Sequence, residues 1–254
     1  MNLLEHLEFL RTFDSFEIGM KEVYNISFDT KKLNISNRNI NSLTGIDNFI
    51  NLKELYCCDN QITNLGLQSN PDFALQNQCI LPSSLKILYC YNNKITNLDN
   101  LPDSLEIIYC YNNKITSLKN LPNSLRELYC GNNQITSLDN LPSSLIDLDC
   151  SDNPIINLNF QNKYNCSLKV LNCYNTKITT LDFGHKSNFT KQNNCNLPSS
   201  LKILNCDTLD LSGNLLERYN IETITKLNEL GHIKDDQYEE TLLQIRNLKI
   251  KKAK

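Results

Sequence analysis

LPSSLKILYCYNNKITNLDN, residues 81–100, is followed without a break by LPDSLEIIYCYNNKITSLKN at 101–120 and LPNSLRELYCGNNQITSLDN at 121–140. A fourth copy, LPSSLIDLDCSDNPIINLNF, occupies 141–160. One cysteine marks the phase. Cys90, Cys110, Cys130 and Cys150 recur every 20 residues, weaker copies put Cys57, Cys173 and Cys206 in the same slot, and Ile35 fills it in a degenerate first turn. Self-similarity at a short fixed period signals a stacked structural unit and takes precedence over any local reading.

Reduced to its skeleton the unit is L-x-x-L-x-C-x-x-N-x-I-x-x-L, as in Leu85, Leu88, Cys90, Asn93, Ile95 and Leu98. Leu88 and Cys90 alternate with Tyr89 and Tyr91, a period of two that predicts a short strand with one face inward. Stacking such strands about 4.8 Å apart pairs their backbones and merges the leucines into one core. Twenty residues are too few for a strand, two turns and a full helix, so the return path should be extended or a single tight turn. The Leu-Pro dipeptide agrees, because Pro102 fixes its own backbone and pushes Leu101 toward an extended conformation. The expected fold is an α/β repeat: a leucine-rich-repeat solenoid of about eight turns, with a parallel concave sheet, a mostly non-helical convex side and helical caps at both ends.

The asparagine after each strand should close the turn, since its amide offers two donors and an acceptor to exposed backbone groups. Asn60, Asn93, Asn113, Asn133 and Asn153 fill this position, and Thr176, with one donor, should hold its turn less well. On this reading Asn113→Ala lowers the melting temperature more than Asn112→Ala.

The L-P-x-S-L opening and 20-residue period resemble the bacterial-type leucine-rich repeats of effector proteins and the repeat proteins of giant viruses. The stretch from Leu33 to Leu65 steps by 22 residues and is similar to the internalin-like class. The resemblance covers roughly residues 30 to 216 and implies a binding scaffold, with a partner the fold alone does not specify. Effector relatives that are ubiquitin ligases carry a large additional catalytic domain, for which 254 residues leave no room.

The expected division is a capping segment at 1–29, the solenoid at 30–216, and a helical cap with a basic tail at 217–254. Leu3, Leu4, Leu7 and Leu10 share one helical face, as do Ile221, Ile224, Leu227 and Leu230; Gly231 then breaks the pattern before Leu242, Ile245 and Leu248. Lys249, Lys251, Lys252 and Lys254 read as a frayed, solvated end. Two insertions, 66–84 and 182–200, interrupt the ladder and read either as surface loops or as extra coils that decorate one face.

A formal charge of −3 gives no field that suggests nucleic acid. No apolar run approaches a membrane span and no secretory leader is visible, so no membrane partner is expected. The 11 cysteines are odd in number and mostly locked to the repeat phase, which reads as reduced thiols in a cytoplasmic setting, the host cytosol for a viral or effector protein. As buried small hydrophobes they need no metal, and no cofactor is implied. Cys58, Cys79, Cys166 and Cys195 lie off the ladder and are the ones expected to react.

If Leu88 and Cys90 point inward, Tyr89 and Tyr91 point outward, and the same phase collects Tyr56, Tyr109, Tyr111, Tyr129 and Tyr174. Acidic residues share that face: Glu54, Asp59, Glu127, Asp147, Asp149, Asp152 and Asp207, with few basic residues beside them. Tyrosine gives large contact area at small entropic cost, so Tyr56, Tyr89, Tyr91, Tyr109, Tyr111, Tyr129, Asp147, Asp149 and Tyr174 form the candidate partner-binding surface of a monomeric, non-enzymatic module, for a protein with a basic surface. Two alternatives stay open: a structural repeat protein without a specific ligand, whose near-identical middle copies multiplied one tyrosine by duplication, and a glycan-binding groove. For catalysis the parts are scarce. His6, His185 and His232 are far apart in sequence, and no phosphate loop, zinc spacing or nucleophile motif is present.

Overall fold

The computed structural model describes residues 27–43, 46–65, 81–139, 141–156, 167–178, 201–206, 221–231, 233 and 235–252. Eight short strands form one parallel sheet in chain order: β1 (Lys32–Asn34), β2 (Glu54–Tyr56), β3 (Ile87–Tyr89), β4 (Ile107–Tyr109), β5 (Glu127–Tyr129), β6 (Asp147–Asp149), β7 (Val170–Cys173) and β8 (Ile203–Cys206). Equivalent residues lie opposite one another at every step, as in Leu88 with Ile108 and Tyr89 with Tyr109. The sheet is never closed into a barrel. Only the central residue of each three-residue strand is buried, so each strand contributes a single leucine or isoleucine to the interior.

The inward cysteines follow the leucines. Cys57, Cys90, Cys110, Cys130, Cys150 and Cys173 are wholly buried, and Cys206 is half-buried at the last strand. They belong to one apolar cluster that runs from Leu33 to Ile245. Several thiols also lean on the sheet: the Cys57 Sγ donates to the Tyr89 carbonyl at 3.4 Å and the Cys130 Sγ to the Asp149 carbonyl at 3.3 Å. A small apolar side chain with a weak donor thus fills the slot beside the backbone of the next coil.

The four coils that carry β3 to β6 each begin with a tight turn made by the Leu-Pro-x-Ser-Leu motif. The Leu85 N–H donates to the Pro82 carbonyl at 2.9 Å, and Leu105, Leu125 and Leu145 repeat the bond. The serine has a task that the sequence did not reveal. Ser84, Ser104, Ser124 and Ser144 each donate, at 2.6 Å, to a leucine carbonyl of the preceding coil: Leu52, Leu85, Leu105 and Leu125. The longer coil before β2 uses its extra residues for a 3-10 turn, Ile46–Asn48, that buries Ile46 and Phe49.

The asparagine column matches the expectation drawn from amide chemistry. Asn93 donates through Nδ2 to the carbonyls of Cys57, Cys90 and Tyr91 at 2.9–3.2 Å, while its Oδ1 accepts the Ile62 N–H at 3.0 Å. Asn60, Asn113, Asn133 and Asn153 make the same set, so each amide ties its own turn to the coil before it. At Thr176 the hydroxyl donates to the Cys173 carbonyl at 2.8 Å and accepts the Ile178 N–H at 3.4 Å, which uses its single proton.

Beyond the sheet, α1 (Ile221–Glu229) and α2 (Asp235–Lys252) pack together and join the apolar cluster through Ile224, Leu227, Leu242 and Ile245. Gly231 lies between them at φ 78, a conformation that favours glycine, and its N–H closes the end of α1 on the Asn228 carbonyl at 2.9 Å. Helix α2 continues through Lys252, so Lys249, Lys251 and Lys252 fall in its last turn, and Lys254 lies outside the described residues. The predicted N-terminal helix, residues 66–80 and 182–200 of the insertions, Asp207, Cys79, Cys166, Cys195 and all three histidines lie outside the described residues.

Candidate functional site

The outward positions of the strands form rows that run along the solenoid, because equivalent residues are in register. Tyr56, Tyr89, Tyr109 and Tyr129 make one row, with ring centroids 4.4, 4.6 and 4.5 Å apart and planes within 6° of parallel. Two residues further along the coil, Tyr91 and Tyr111 stack at 4.5 Å. The rings therefore stand on edge like the teeth of a comb. The strand spacing sets their separation, and each inner ring has both π faces covered by its neighbours. What the comb offers a partner is ring edges and hydroxyls. Each stacked pair also contributes about 0.5–1.5 kcal/mol beyond its buried area, so these tyrosines help to hold the coils together.

The hydroxyls are not independent of the carboxylates. Tyr56 donates to Glu54 Oε2 at 3.0 Å, and Tyr129 donates toward Asp147 Oδ2 at 3.1 Å and Glu127 Oε2 at 3.3 Å. Burial, then the hydrogen bond to Glu54, pushes the Tyr56 phenol up to about 12. Tyr91 is also pushed up to about 12, in the first place by its hydrogen bond with the Cys58 thiol. Tyr109 and Tyr111 are raised by burial. Tyr129 is raised most, by burial and then by the charges of Asp147 and Glu127. Burial also raises the Asp147 carboxyl, against the hydrogen bond from Tyr129.

Of the residues singled out from the sequence, Tyr56, Tyr89, Tyr91, Tyr109, Tyr111, Tyr129, Asp147 and Asp149 are gathered on this face. Tyr174 is on the same side and 59% exposed, but it takes no part in the stacked rows described here. Asp149 is committed to the fold: Oδ1 accepts the Ser151 N–H at 3.0 Å and hydroxyl at 2.6 Å, and Oδ2 accepts the Asn172 amide at 3.0 Å. Gly131 permits this arrangement, because a Cβ there would meet the Ser151 Oγ at 3.0 Å. Cys58, expected to be reactive, is instead buried, and burial raises its thiol.

One row escaped the sequence reading. The residue just before each strand is basic in six coils: Lys31, Lys53, Lys86, Arg126, Lys169 and Lys202. Backbone hydrogen bonds link these positions from coil to coil along the sheet margin. The strand phase alone hid them, since they precede the alternation. Among the described residues no three His, Cys, Asp or Glu side chains are gathered so as to hold a metal ion, and no helix is long and apolar enough to cross a membrane.

A family model for leucine-rich repeats matches residues 83–123 and again 103–143. Residues 83–143 carry leucine-rich repeats, and the fold is that of a parallel-sheet leucine-rich-repeat solenoid. The repeat array is similar to the leucine-rich effector protein YopM from Yersinia pestis, at 26% identity and a TM-score of 0.54 over 76% of this chain and 48% of that one. An internalin from Listeria monocytogenes shares the fold at 24% identity and a TM-score of 0.58, over 85% of this chain and 59% of that one. A Shigella effector leucine-rich-repeat domain does so at 21% identity and a TM-score of 0.52, over 86% of this chain and 82% of that one. The chain thus spans less than two thirds of the length of the first two. No curated protein matches it in sequence. Leucine-rich repeats typically mediate protein–protein interaction.

Proposed function

We propose that this repeat protein binds a protein partner on the outer, concave face of its sheet and does no chemistry itself. The observation that carries this reading is the tyrosine comb: stacked rings on a rigid sheet, edged by carboxylates, give a broad amphipathic surface that loses little entropy on binding. Tyr56, Tyr89, Tyr91, Tyr109, Tyr111, Tyr129 and Tyr174 supply contact area, and Asp147 and Asp149 favour a partner with a basic surface. The protein acts as a monomer in a reducing compartment such as the host cytosol, a setting consistent with its long column of free thiols. A glycan fits this face poorly, because sugars stack on ring faces and here the inner ring faces are already occupied.

Affinity capture from cell lysate followed by mass spectrometry tests the proposal. The wild-type chain should retain a partner that the Tyr89→Ala, Tyr109→Ala double variant loses, while Tyr89→Phe with Tyr109→Phe, which keeps the stack, should hold the fold. Capture that survives loss of both rings would move the site off this face.

A further inference from the structure

On the outer face Glu54 has a cation beside it, whereas Glu127 and Asp147 further along the sheet have none among the described residues. Between β1 and β2, Lys32 Nζ lies 2.8 Å from Glu54 Oε2, and in the margin row just before β3 and β4, Lys86 Nζ lies 2.5 Å from Glu106 Oε1. On β5 and β6, Glu127 and Asp147 are register partners on adjacent strands. Both reach for the one proton of the Tyr129 hydroxyl, which can satisfy only one of them at a time. Among the described residues neither carboxylate makes an ion pair, and Arg126, on the basic margin, is exposed and makes none either.

The comb ends at the same place. Tyr129 stacks on Tyr109 through one face, whereas its register partner on the other side is Asp149, a short side chain held by Ser151 and Asn172. The last ring therefore lacks the next tooth, directly beside two carboxylates that share a single donor.

We propose that an arginine of the partner completes the comb: its guanidinium lies against the second face of Tyr129 and bridges Glu127 and Asp147. This rests on the reading of the outer face as the binding surface and adds where on it the basic group sits and which group it is. A guanidinium is planar, weakly hydrated, stacks on aromatic rings and gives paired donors to carboxylates; an ammonium supplies only a point charge. The spacing along the comb favours a flat group, because a planar cation continues a series of parallel rings as a sphere does not.

The test is titration of the full chain with nona-arginine and nona-lysine peptides at about 150 mM salt, where diffuse attraction is screened. The arginine peptide should bind about tenfold more tightly than the lysine peptide, a preference that reflects stacking and paired hydrogen bonds. Glu127→Gln with Asp147→Asn should abolish that preference, and Glu54→Gln with Glu106→Gln should leave it. Tyr129→Phe, which keeps the ring, should retain it, and Tyr129→Leu should lose it. Equal affinity for the two peptides, or equal loss from both carboxamide pairs, overturns the proposal. The two readings fail separately. An arginine preference mapped to β5 and β6 in a chain whose tyrosine-stripped form still captures its partner removes the binding face and keeps the arginine site. Capture lost on stripping, with no peptide preference, does the reverse.

Discussion

Two asparagine columns run side by side through the same turns, one residue apart, and hold the coils by different means. The inner column, Asn60, Asn93, Asn113, Asn133 and Asn153, spends each amide on backbone groups of two coils and is mostly buried. The outer column, Asp59, Asn92, Asn112, Asn132, Asp152 and Asn175, lies at φ between 51 and 54, the left-handed region that asparagine and aspartate tolerate. Its side chains bond to one another along the surface: Asn92 donates to Asp59 and Asn112 to Asn92, each at 2.7 Å, and Asn132 donates to Asn112. In one column the side chain does the work; in the other, backbone tolerance does. Adjacent identical residues in Asn112-Asn113 thus answer to different physics.

The sharpest way to break the contrast is Asn113→Ala, which strips from the turn one acceptor and two donors shared among three carbonyls, and should cost about 3 kcal/mol, read as a lower urea midpoint. Asn112→Ala should cost about 1 kcal/mol, through left-handed strain, and Asn112→Gly should recover most of it. If Asn112→Gly is as damaging as Asn112→Ala, the surface ladder of amides, and not the backbone, is what matters there. Thr176→Asn extends the inner column by one coil and should gain about 0.5–1 kcal/mol, the range of one or two added hydrogen bonds; an unchanged midpoint would mean that the local backbone cannot accept the amide.

The smallest effect separates the two faces by alkaline titration. Tyr56 and Tyr91 have folded values raised to about 12 from 10, so their contribution is whole below pH 10 and lost as pH rises to 12. Burial raises Cys110 to about 12 from 9, so its contribution is whole below pH 9 and lost over a window that opens earlier. Phenolate absorbance should lag free tyrosine in the native protein, and no inner thiol should alkylate at pH 9 until the chain unfolds. Rapid labelling of Cys90, Cys110 or Cys130 under native conditions would mean that the inward register is wrong.

The repeat made the register legible: a 20-residue period, Leu and Cys alternating with Tyr, and an Asn at each bend were enough to place the core, the closing amides and the outward rings. What stayed hidden depends on how one coil meets the next. The 2.6 Å bond from Ser84 to Leu52 joins residues separated by an insertion, and the Lys32–Glu54 pair joins coils of unequal length. The parallel ring planes follow from rotamer choice as well as from phase. Cys58 looked free because it is off the ladder, yet its slot is covered by the adjoining coil: its N–H donates to Ser36 Oγ and its thiol meets Tyr91. Periodicity gives direction within a coil, and pairing between coils decides exposure and charge.

The column of thiols has a practical corollary. Each coil from Cys57 to Cys173 carries a natural reporter at the same slot, silent while that coil stays shut, with Cys58 a second buried thiol beside Cys57. A brief pulse of alkylating reagent, mapped by peptide mass, therefore reads opening coil by coil without any engineered label. In a linear array where each unit leans only on its neighbours, the modification profile becomes a measured gradient of fraying from the ends toward the three near-identical middle repeats.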